Sequence, residues 1–176
     1  MGEEARPGGR PAGAGAGPGV SDDALADYPK TVVLKDGAHL VLRPLGAAEQ
    51  GALGRVLAHA APVERFAPDA EPVILACDGE RVVAAAALER GAPEVARLSV
   101  VIDPEYRGRR LGTWLVLDAV HLAAALGVER LEATLHPEDT AYLAALERLD
   151  FAVDPARRSP SGAVLVKRLH RGWTDF

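Results

Sequence analysis

The chain has 176 residues, enough for one domain with a substantial hydrophobic core. Hydrophobic residues make up 48% and aromatic residues only 5%, so Ala, Val and Leu must supply most of that core. The formal net charge of −5 argues against a general nucleic-acid-binding surface. The single cysteine, Cys77, excludes an internal disulfide. Neither a signal peptide nor a membrane-spanning run is expected, and a cytoplasmic location is predicted.

The first half of the chain predicts a tail followed by short strands. Residues 1–27 are rich in Gly, Ala and Pro and are expected to be a disordered tail, which leaves 28–176 as the folded domain. Strands are predicted over 31–35, 39–43, 73–77, 81–88 and 95–102. Asp-Gly pairs at 36–37 and 78–79 are typical of hairpin turns. A helix is expected over 47–60, and a short second helix near 64–66.

The second half contains the clearest helix, over 111–126. Its predicted buried stripe consists of Leu115, Val116, Ala119, Leu122, Ala123 and Leu126, and Gly127 should end it. Trp114, Asp118 and His121 share the other face, and Trp114 and His121 are expected to lie against solvent or at an interface. A strand over 130–135, a helix over 138–149 and strands over 151–153 and 163–169 follow, with a loop over 155–162 between the last two. This order predicts an α+β domain with a mixed, mainly antiparallel sheet.

The most informative segment joins the fifth strand to this helix. The apolar run ends at Asp103-Pro104, and a short loop with three arginines and a glycine leads to the helix at Leu111. The first N–H groups of a helix have no internal partners, and the helix dipole adds partial positive charge there. Arginine supplies forked donors that suit phosphate oxygens. The loop therefore predicts a site for a phosphate, most plausibly a pyrophosphate.

The segment from Arg107 to Gly112 resembles motif A of the GNAT superfamily of acyl-CoA-dependent N-acyltransferases, Arg/Gln-x-x-Gly-x-Gly/Ala. Arg110 stands in place of the middle glycine, so its side chain must point away from the phosphates or the loop must open slightly. The order of elements over 31–170 is similar to the GNAT topology. The segment 28–45 also looks like the corresponding part of bacterial protein lysine acetyltransferases.

A second landmark of the family, Asn-x-x-Ala-x-x-x-Tyr-x-x-x-Gly-Phe, ends here at Phe151. This chain has Asp139 for the asparagine, Leu146 for the tyrosine and Asp150 for the glycine. In the family that tyrosine usually protonates the departing CoA thiolate. The residue expected to donate this proton is therefore altered in this chain.

The resemblance implies acetyl-CoA as co-substrate. The residues that it assigns to cofactor binding are Val100, Val101, Ile102, Arg107, Gly108, Arg109, Arg110, Leu111, Gly112, Thr113 and Asp139. The backbone of the first three is expected to pair with the pantetheine arm, while the strand over 130–135 splays away.

Three side chains are candidates for proton transfer. Glu94 lies near the start of the motif A strand, but its odd offset from Arg97, where related lysine acetyltransferases carry Glu, would require a bulge. Tyr142 precedes Leu146 by one helical turn and could instead pack its ring on the sheet. His136 ends a strand beside the cleft, and histidine is a common acceptor of protons in enzymes. No His/Cys/Asp grouping has metal-ligand spacing, so no metal is expected.

The expected function is transfer of an acetyl group from acetyl-CoA to a primary amine, either a protein lysine or a small molecule, by direct attack in a ternary complex. The alternative is a GNAT-fold module that binds acyl-CoA as a sensor, which Arg97, Leu146 and Asp139 favour. The expected partners are acyl-CoA and the amine, without membrane or nucleic acid. A homodimer through the C-terminal strands or Trp173 is left open.

Overall fold

The computed structural model describes residue 20, residues 22–58 and residues 70–170. These residues form one eight-stranded sheet with the strand order β1-β2-β3-β4-β5-β6-β8-β7. The strands are β1 Lys30–Val33, β2 His39–Pro44, β3 Val73–Asp78, β4 Arg81–Ala92, β5 Val95–Ile102, β6 Arg130–Leu135, β7 Ala152–Ser159 and β8 Gly162–Arg168. The helices are α1 Gln50–Leu57, α2 Leu111–Ala125 and α3 Thr140–Arg148.

The sheet is mixed and mainly antiparallel, which confirms the predicted fold class. Strands β1 to β5 form an antiparallel meander. Helix α2 carries the chain to β6, which is parallel to β5, and β8 then inserts antiparallel between β6 and β7. Within the described ranges, no helix combines the length and apolarity needed to cross a bilayer.

The core lies on both faces of the sheet. The larger cluster packs α2 and α3 against one face, and a smaller cluster around Leu53 and Val56 packs α1 against the other. Because side chains alternate across a strand, Leu98 belongs to the α2 side and Val101 to the α1 side. The strand β5 therefore separates two chemically distinct surfaces.

Helix α2 buries the predicted stripe of apolar residues, and it ends before Gly127 as predicted. Five of the six stripe residues are buried, and Leu126 packs partly buried against the same cluster. Gly127 has φ +75°, the Gly127 N–H donates to the Ala124 carbonyl, and the Val128 N–H donates to the Ala123 carbonyl. This is the Schellman arrangement, in which a left-handed residue closes the helix.

Asp118 is buried, although it shares a helix face with Trp114 and His121. The Tyr28 hydroxyl and the Lys30 ammonium, 2.8 Å away, both donate to its carboxylate. Desolvation and the neighbouring carboxylate raise the pKa of Tyr28. These contacts bring the segment before β1 onto α2, a long-range arrangement that helical periodicity cannot reveal.

Several boundaries differ from the predictions. Asp22–Leu25, predicted as tail, form a short 3-10 helix, and Ala24 and Leu25 pack against the core. The predicted loop over 155–162 is largely strand, because β7 continues past an irregularity between Val153 and Arg158. The tail over residues 1–19, the helix near 64–66 and Trp173 lie outside the described residues.

Candidate functional site

The parallel strands β5 and β6 separate partway along their length. Their register runs from Val95 opposite Arg130 to Leu98 opposite Ala133 and goes no further. Beyond that point β4 still pairs with β5 up to Ile102, while β6 continues against β8. The backbone edge of β5 from Ser99 to Ile102 is therefore not paired with β6, as the splayed arrangement predicted. The gap between these parts of β5 and β6 is called the opening below.

The arginine loop lies at the same end of the sheet as this opening. Gly108 and Arg110 both adopt left-handed backbone angles, with φ of +73° and +69°. Arg110 thus keeps the conformation that suits the family's glycine, at a steric cost of roughly 1–2 kcal/mol. A Cβ built on Gly112 would lie 3.3 Å from Ile102 Cδ1, so α2 begins in close contact with the end of β5.

The arginines of the loop have different partners. Arg107 is exposed, and its Nε donates to the Ile102 carbonyl at 3.2 Å. Arg109 turns towards the β1–β2 turn, where its Nε donates to Asp36 at 2.6 Å. The backbone hydrogen bond from Ala38 and the Arg109 contact lower the pKa of Asp36. Arg109 is therefore already paired with Asp36 through Nε and Nη2, and its guanidinium is directed towards the β1–β2 turn.

Arg110 and Thr113 line a shallow cavity of about 420 Å³ on the β1 side of α2, together with Lys35 and Trp114. The Trp114 indole donates to the Val33 carbonyl at 2.9 Å. Arg110 therefore follows the first of the two predicted alternatives, in which its side chain points away from the opening. The buried Leu111 anchors the start of α2 in the core.

The loop rests on Tyr106, which the sequence did not single out. Its ring is buried, its hydroxyl donates to Asp78 at 2.5 Å, and the Arg109 guanidinium lies 4.7 Å from the ring centroid. The hydrogen bond to Asp78 raises the pKa of Tyr106. Asp103 accepts from Arg81 at 2.8 Å on the same side. The available sequence signal was an aromatic residue close to the arginines of the loop. Its contact with Asp78, in the distant β3–β4 turn, is visible only in the structure.

Of the predicted catalytic residues, His136 lies near the opening and Glu94 does not. Parallel strands end at the same edge of a sheet, so His136, directly after β6, lies at the end where β5 runs into the arginine loop. Glu94 lies in the β4–β5 turn at the opposite end, and its carbonyl accepts from the Arg130 N–H. Five strand residues, about 16 Å, separate Glu94 from Ser99. The register shift in the β4–β5 ladder lies between Arg90 and Ala92 of β4 and leaves Glu94 in the turn at the far end.

Helix α3 carries the other predicted residues. Leu146, at the position of the family's tyrosine, is completely buried in the core. Tyr142 packs against the same cluster and its hydroxyl is buried. Asp139 precedes the helix at the N-cap position, but its side chain makes no capping hydrogen bond. None of these three side chains presents a proton donor to the opening in this structure.

A charged row crosses the α1 side of the sheet below the opening. Glu89 on β4 lies opposite Arg97 on β5, and Arg97 lies opposite Glu132 on β6. Glu132 is buried, and both of its oxygens accept from Arg157 of β7 at 2.8 Å. Arg157 holds the pKa of Glu132 below its usual value. Glu132 is thus a firmly ionised structural carboxylate, and the described part of the chain contains no group of residues that could hold a metal.

A mixed sheet that splits between its two parallel strands, with a glycine- and arginine-bearing loop beside the split, is the architecture of acyl-CoA-dependent N-acyltransferases. Residues 44–151 match the model of the acetyltransferase (GNAT) family, and the chain belongs to that family. No curated protein matches the chain.

Solved structures share the fold at low sequence identity. The GNAT domain of Streptomyces lividans PAT has a TM-score of 0.70 and 16% identity, over 82% of this chain and 98% of that one. A phosphinothricin acetyltransferase from Sinorhizobium meliloti, in complex with acetyl-CoA, has a TM-score of 0.62 and 18% identity, over 76% and 90%. The yncA protein of Salmonella typhimurium, with its cofactor acetyl-CoA, has a TM-score of 0.58 and 14% identity, over 78% and 96%.

Proposed function

We propose that this protein transfers an acetyl group from acetyl-CoA to a primary amine by direct attack in a ternary complex. The observation that carries the proposal is the β5 edge from Ser99 to Ile102, which faces an opening and leads into a loop suited to a pyrophosphate. Two similar folds were solved with acetyl-CoA. An extended pantetheine arm would add to this edge much as a peptide strand does.

The loop would hold the pyrophosphate mainly through its backbone. Gly108 and Gly112 leave the backbone uncovered by side chains, and the first N–H groups of α2 face the same end. Arg107 and Arg110 are both exposed and have no carboxylate partner among the described residues. Arg107 contacts the Ile102 carbonyl beside the opening, whereas Arg110 lies on the β1 side of α2, so Arg107 is the proposed cationic contact of the pyrophosphate. The bound thioester carbon would then lie in the opening, held for attack by an amine.

His136 is the proposed acceptor of the proton that the amine loses, directly or through a water. It is half-buried directly after β6. The first residue of β8, Gly162, lies next to it, because a Cβ built on Gly162 would be 3.8 Å from His136 Nδ1. The departing CoA thiol needs no fixed acid, because a thiol is far more acidic than an alcohol or an amine and its thiolate leaves readily. The burial of Leu146 therefore does not prevent turnover.

The second candidate is a GNAT-fold module that binds acyl-CoA without turnover. The observation in its favour is that Leu146 and the Tyr142 hydroxyl are buried, so α3 offers no acid to the opening. This candidate shares the cofactor site and differs only in the chemistry that follows. Binding and turnover must therefore be measured separately.

Calorimetric titration with acetyl-CoA and release of free thiol with a panel of small amines and lysine peptides test the proposal. We expect binding and thiol release. Binding without thiol release on any amine would support the sensor, and no binding would overturn both functions.

The role of His136 is tested by His136→Gln. Loss of a general base typically lowers kcat by about 10²–10⁴-fold, and the affinity for acetyl-CoA should not change. His121→Gln, on the exposed side of α2, is the matched control and should retain the wild-type kcat. An unchanged kcat in His136→Gln would remove His136 from the mechanism.

A further inference from the structure

On the α1 side of the sheet, β5 presents Arg97 next to the opening. Leu98 and Ala96 point into the core under α2, so Arg97 and Ser99 point to the opposite face. Arg97 belongs to the last pairs of the β5–β6 ladder, one residue before its end at Leu98. Its backbone is two residues, about 6.6 Å, from Ser99, where the opening begins.

The guanidinium of Arg97 has unused hydrogen-bonding capacity. Its side chain is 57% exposed, and its closest carboxylate oxygen is that of Glu89 at 3.8 Å, beyond hydrogen-bond distance. Glu132, the other neighbour in the row, already accepts from Arg157 at both oxygens and lies 3.0 Å from Arg130. In the described part of the chain, the Arg97 guanidinium is therefore accessible, and its nearest carboxylate oxygen lies beyond hydrogen-bond distance.

We propose that Arg97 selects acceptors that carry a carboxylate beside the reacting amine, of the α-amino-acid kind. This inference rests on the proposed function, because it assigns the acceptor of the same site. A bidentate guanidinium–carboxylate pair would fix the acceptor and direct its amine towards the opening. A Glu at this position, as in lysine acetyltransferases, would repel the same carboxylate.

The short spacing favours a small amino acid over a protein lysine. The carboxylate and amine of an α-amino acid are separated by one carbon, so an acceptor held by Arg97 keeps its amine beside the opening, which begins two strand residues away. In a peptide the backbone carboxyl of lysine is an amide, and a flanking acidic side chain lies much further from the lysine amine. A lysine peptide therefore offers no anion to Arg97 at this distance.

Matched pairs of acceptors test the proposal. L-alanine, L-glutamate and L-methionine are each compared with their α-carboxamides in the thiol-release assay and, without turnover, by calorimetric titration into CoA-saturated protein. The carboxamides have the less basic and more readily deprotonated amine, so intrinsic reactivity at neutral pH opposes the expected preference. Lysine peptides are measured in the same two assays for comparison with the amino acids.

We expect the carboxylates to bind at least about tenfold better than the carboxamides, and Arg97→Gln to reduce this ratio to near one by raising KM rather than lowering kcat. Arg97→Lys should restore part of the preference. Arg168→Gln, on the same face but opposite Arg130 at the far end of the β6–β8 ladder, is the control and should keep the ratio.

A ratio near one in the wild type, or a ratio that Arg97→Gln retains, would overturn the proposal. Better binding of lysine peptides than of amino acids would also overturn it. If no amine releases thiol, the proposed function fails, while the titrations into CoA-saturated protein still decide whether Arg97 recognises a carboxylate. The two proposals can therefore fail independently.

Discussion

At the scale of single residues, the position of the first N–H groups of α2 beside the opening depends on how closely the start of this helix approaches β5. Gly112 permits this contact, because its missing Cβ would lie 3.3 Å from Ile102 Cδ1. At 3.3 Å a neighbouring side chain must already move by a few tenths of an ångström, and a branched side chain requires more. The separation of α2 from β5, and with it the position of the helix N–H groups, is thus set by one residue.

Replacing Gly112 with Val should push the start of α2 away from Ile102 and displace the N–H groups proposed to bind pyrophosphate. Overpacking of this kind typically costs about 1–3 kcal/mol, so we expect acetyl-CoA affinity to fall roughly tenfold or more in calorimetric titration. Gly54→Val is the control, since Gly54 is exposed on α1 with open space around its Cβ position. Unchanged affinity in Gly112→Val would mean that the close approach is not needed for binding.

At the scale of elements, helices α2 and α3 end with the same backbone motif but with different residues. Like α2, helix α3 closes through two hydrogen bonds, from the Asp150 N–H to the Glu147 carbonyl and from the Phe151 N–H to the Leu146 carbonyl. The left-handed position is Gly127 after α2 and Asp150, with φ +61°, after α3. The departure from the family's glycine therefore changes the residue but preserves the turn.

Asp150→Gly should stabilise the protein by roughly 0.5–1 kcal/mol, because glycine adopts this conformation without steric cost. The Lys167 contact that would be lost is 3.8 Å long, and Asp150 is largely exposed, so it contributes little. Urea unfolding measures the change. Gly127→Ala, at the equivalent position of α2, should lower the free energy of unfolding by about 1 kcal/mol. A destabilised Asp150→Gly variant would show that the aspartate stabilises the turn in another way.

At the scale of the whole molecule, one buried carboxylate connects the C-terminal strands. Glu132 of β6 accepts from Arg157 of the edge strand β7 and lies 3.0 Å from Arg130. The depressed pKa of Glu132 means that the folded state favours the ionised form. Its stabilising contribution is therefore complete above the ordinary glutamate pKa, near 4.3, and is lost as the pH falls through the lower folded value.

Glu132→Gln should be less stable than the wild type by roughly 1–2 kcal/mol at pH 7, a discounted value because Arg157 is partly exposed. Urea unfolding between pH 7 and 3 should show this difference shrinking below pH 4.3 as the wild-type carboxylate is protonated. Glu147→Gln, on the exposed surface of α3, should stay within about 0.5 kcal/mol of the wild type. A difference that does not change with pH would contradict an ionic role for Glu132.

Local features of the chain were predictable because they depend on neighbouring residues. The Asp-Gly turns, the buried stripe of α2, its end at Gly127 and the strand–loop–helix around Arg107 follow from turn chemistry and periodicity. The antiparallel meander of β1 to β5 follows from the short connections between these strands, whereas the insertion of β8 between β6 and β7 does not. Each of these properties requires knowledge of only a few residues at a time.

The environment of the charged residues was not predictable, because it depends on strand register and on contacts between distant segments. Asp118 is buried by Tyr28 and Lys30, and Arg109 pairs with Asp36, more than 70 positions away in each case. No local pattern contains this information.

The sequence by itself determined that a glycine- and arginine-bearing loop, which we propose binds pyrophosphate, joins the fifth strand to a helix, because a strand end, a glycine, arginines and a helix start are consecutive. Only the tertiary structure decided which side chains stand at the opening. It placed Glu94 at the far end of β5, kept His136 at the near end, and set Arg97 in a row between Glu89 and Glu132. The physical reason is that pairing between strands, and not distance along the chain, fixes the neighbours of each residue in a sheet.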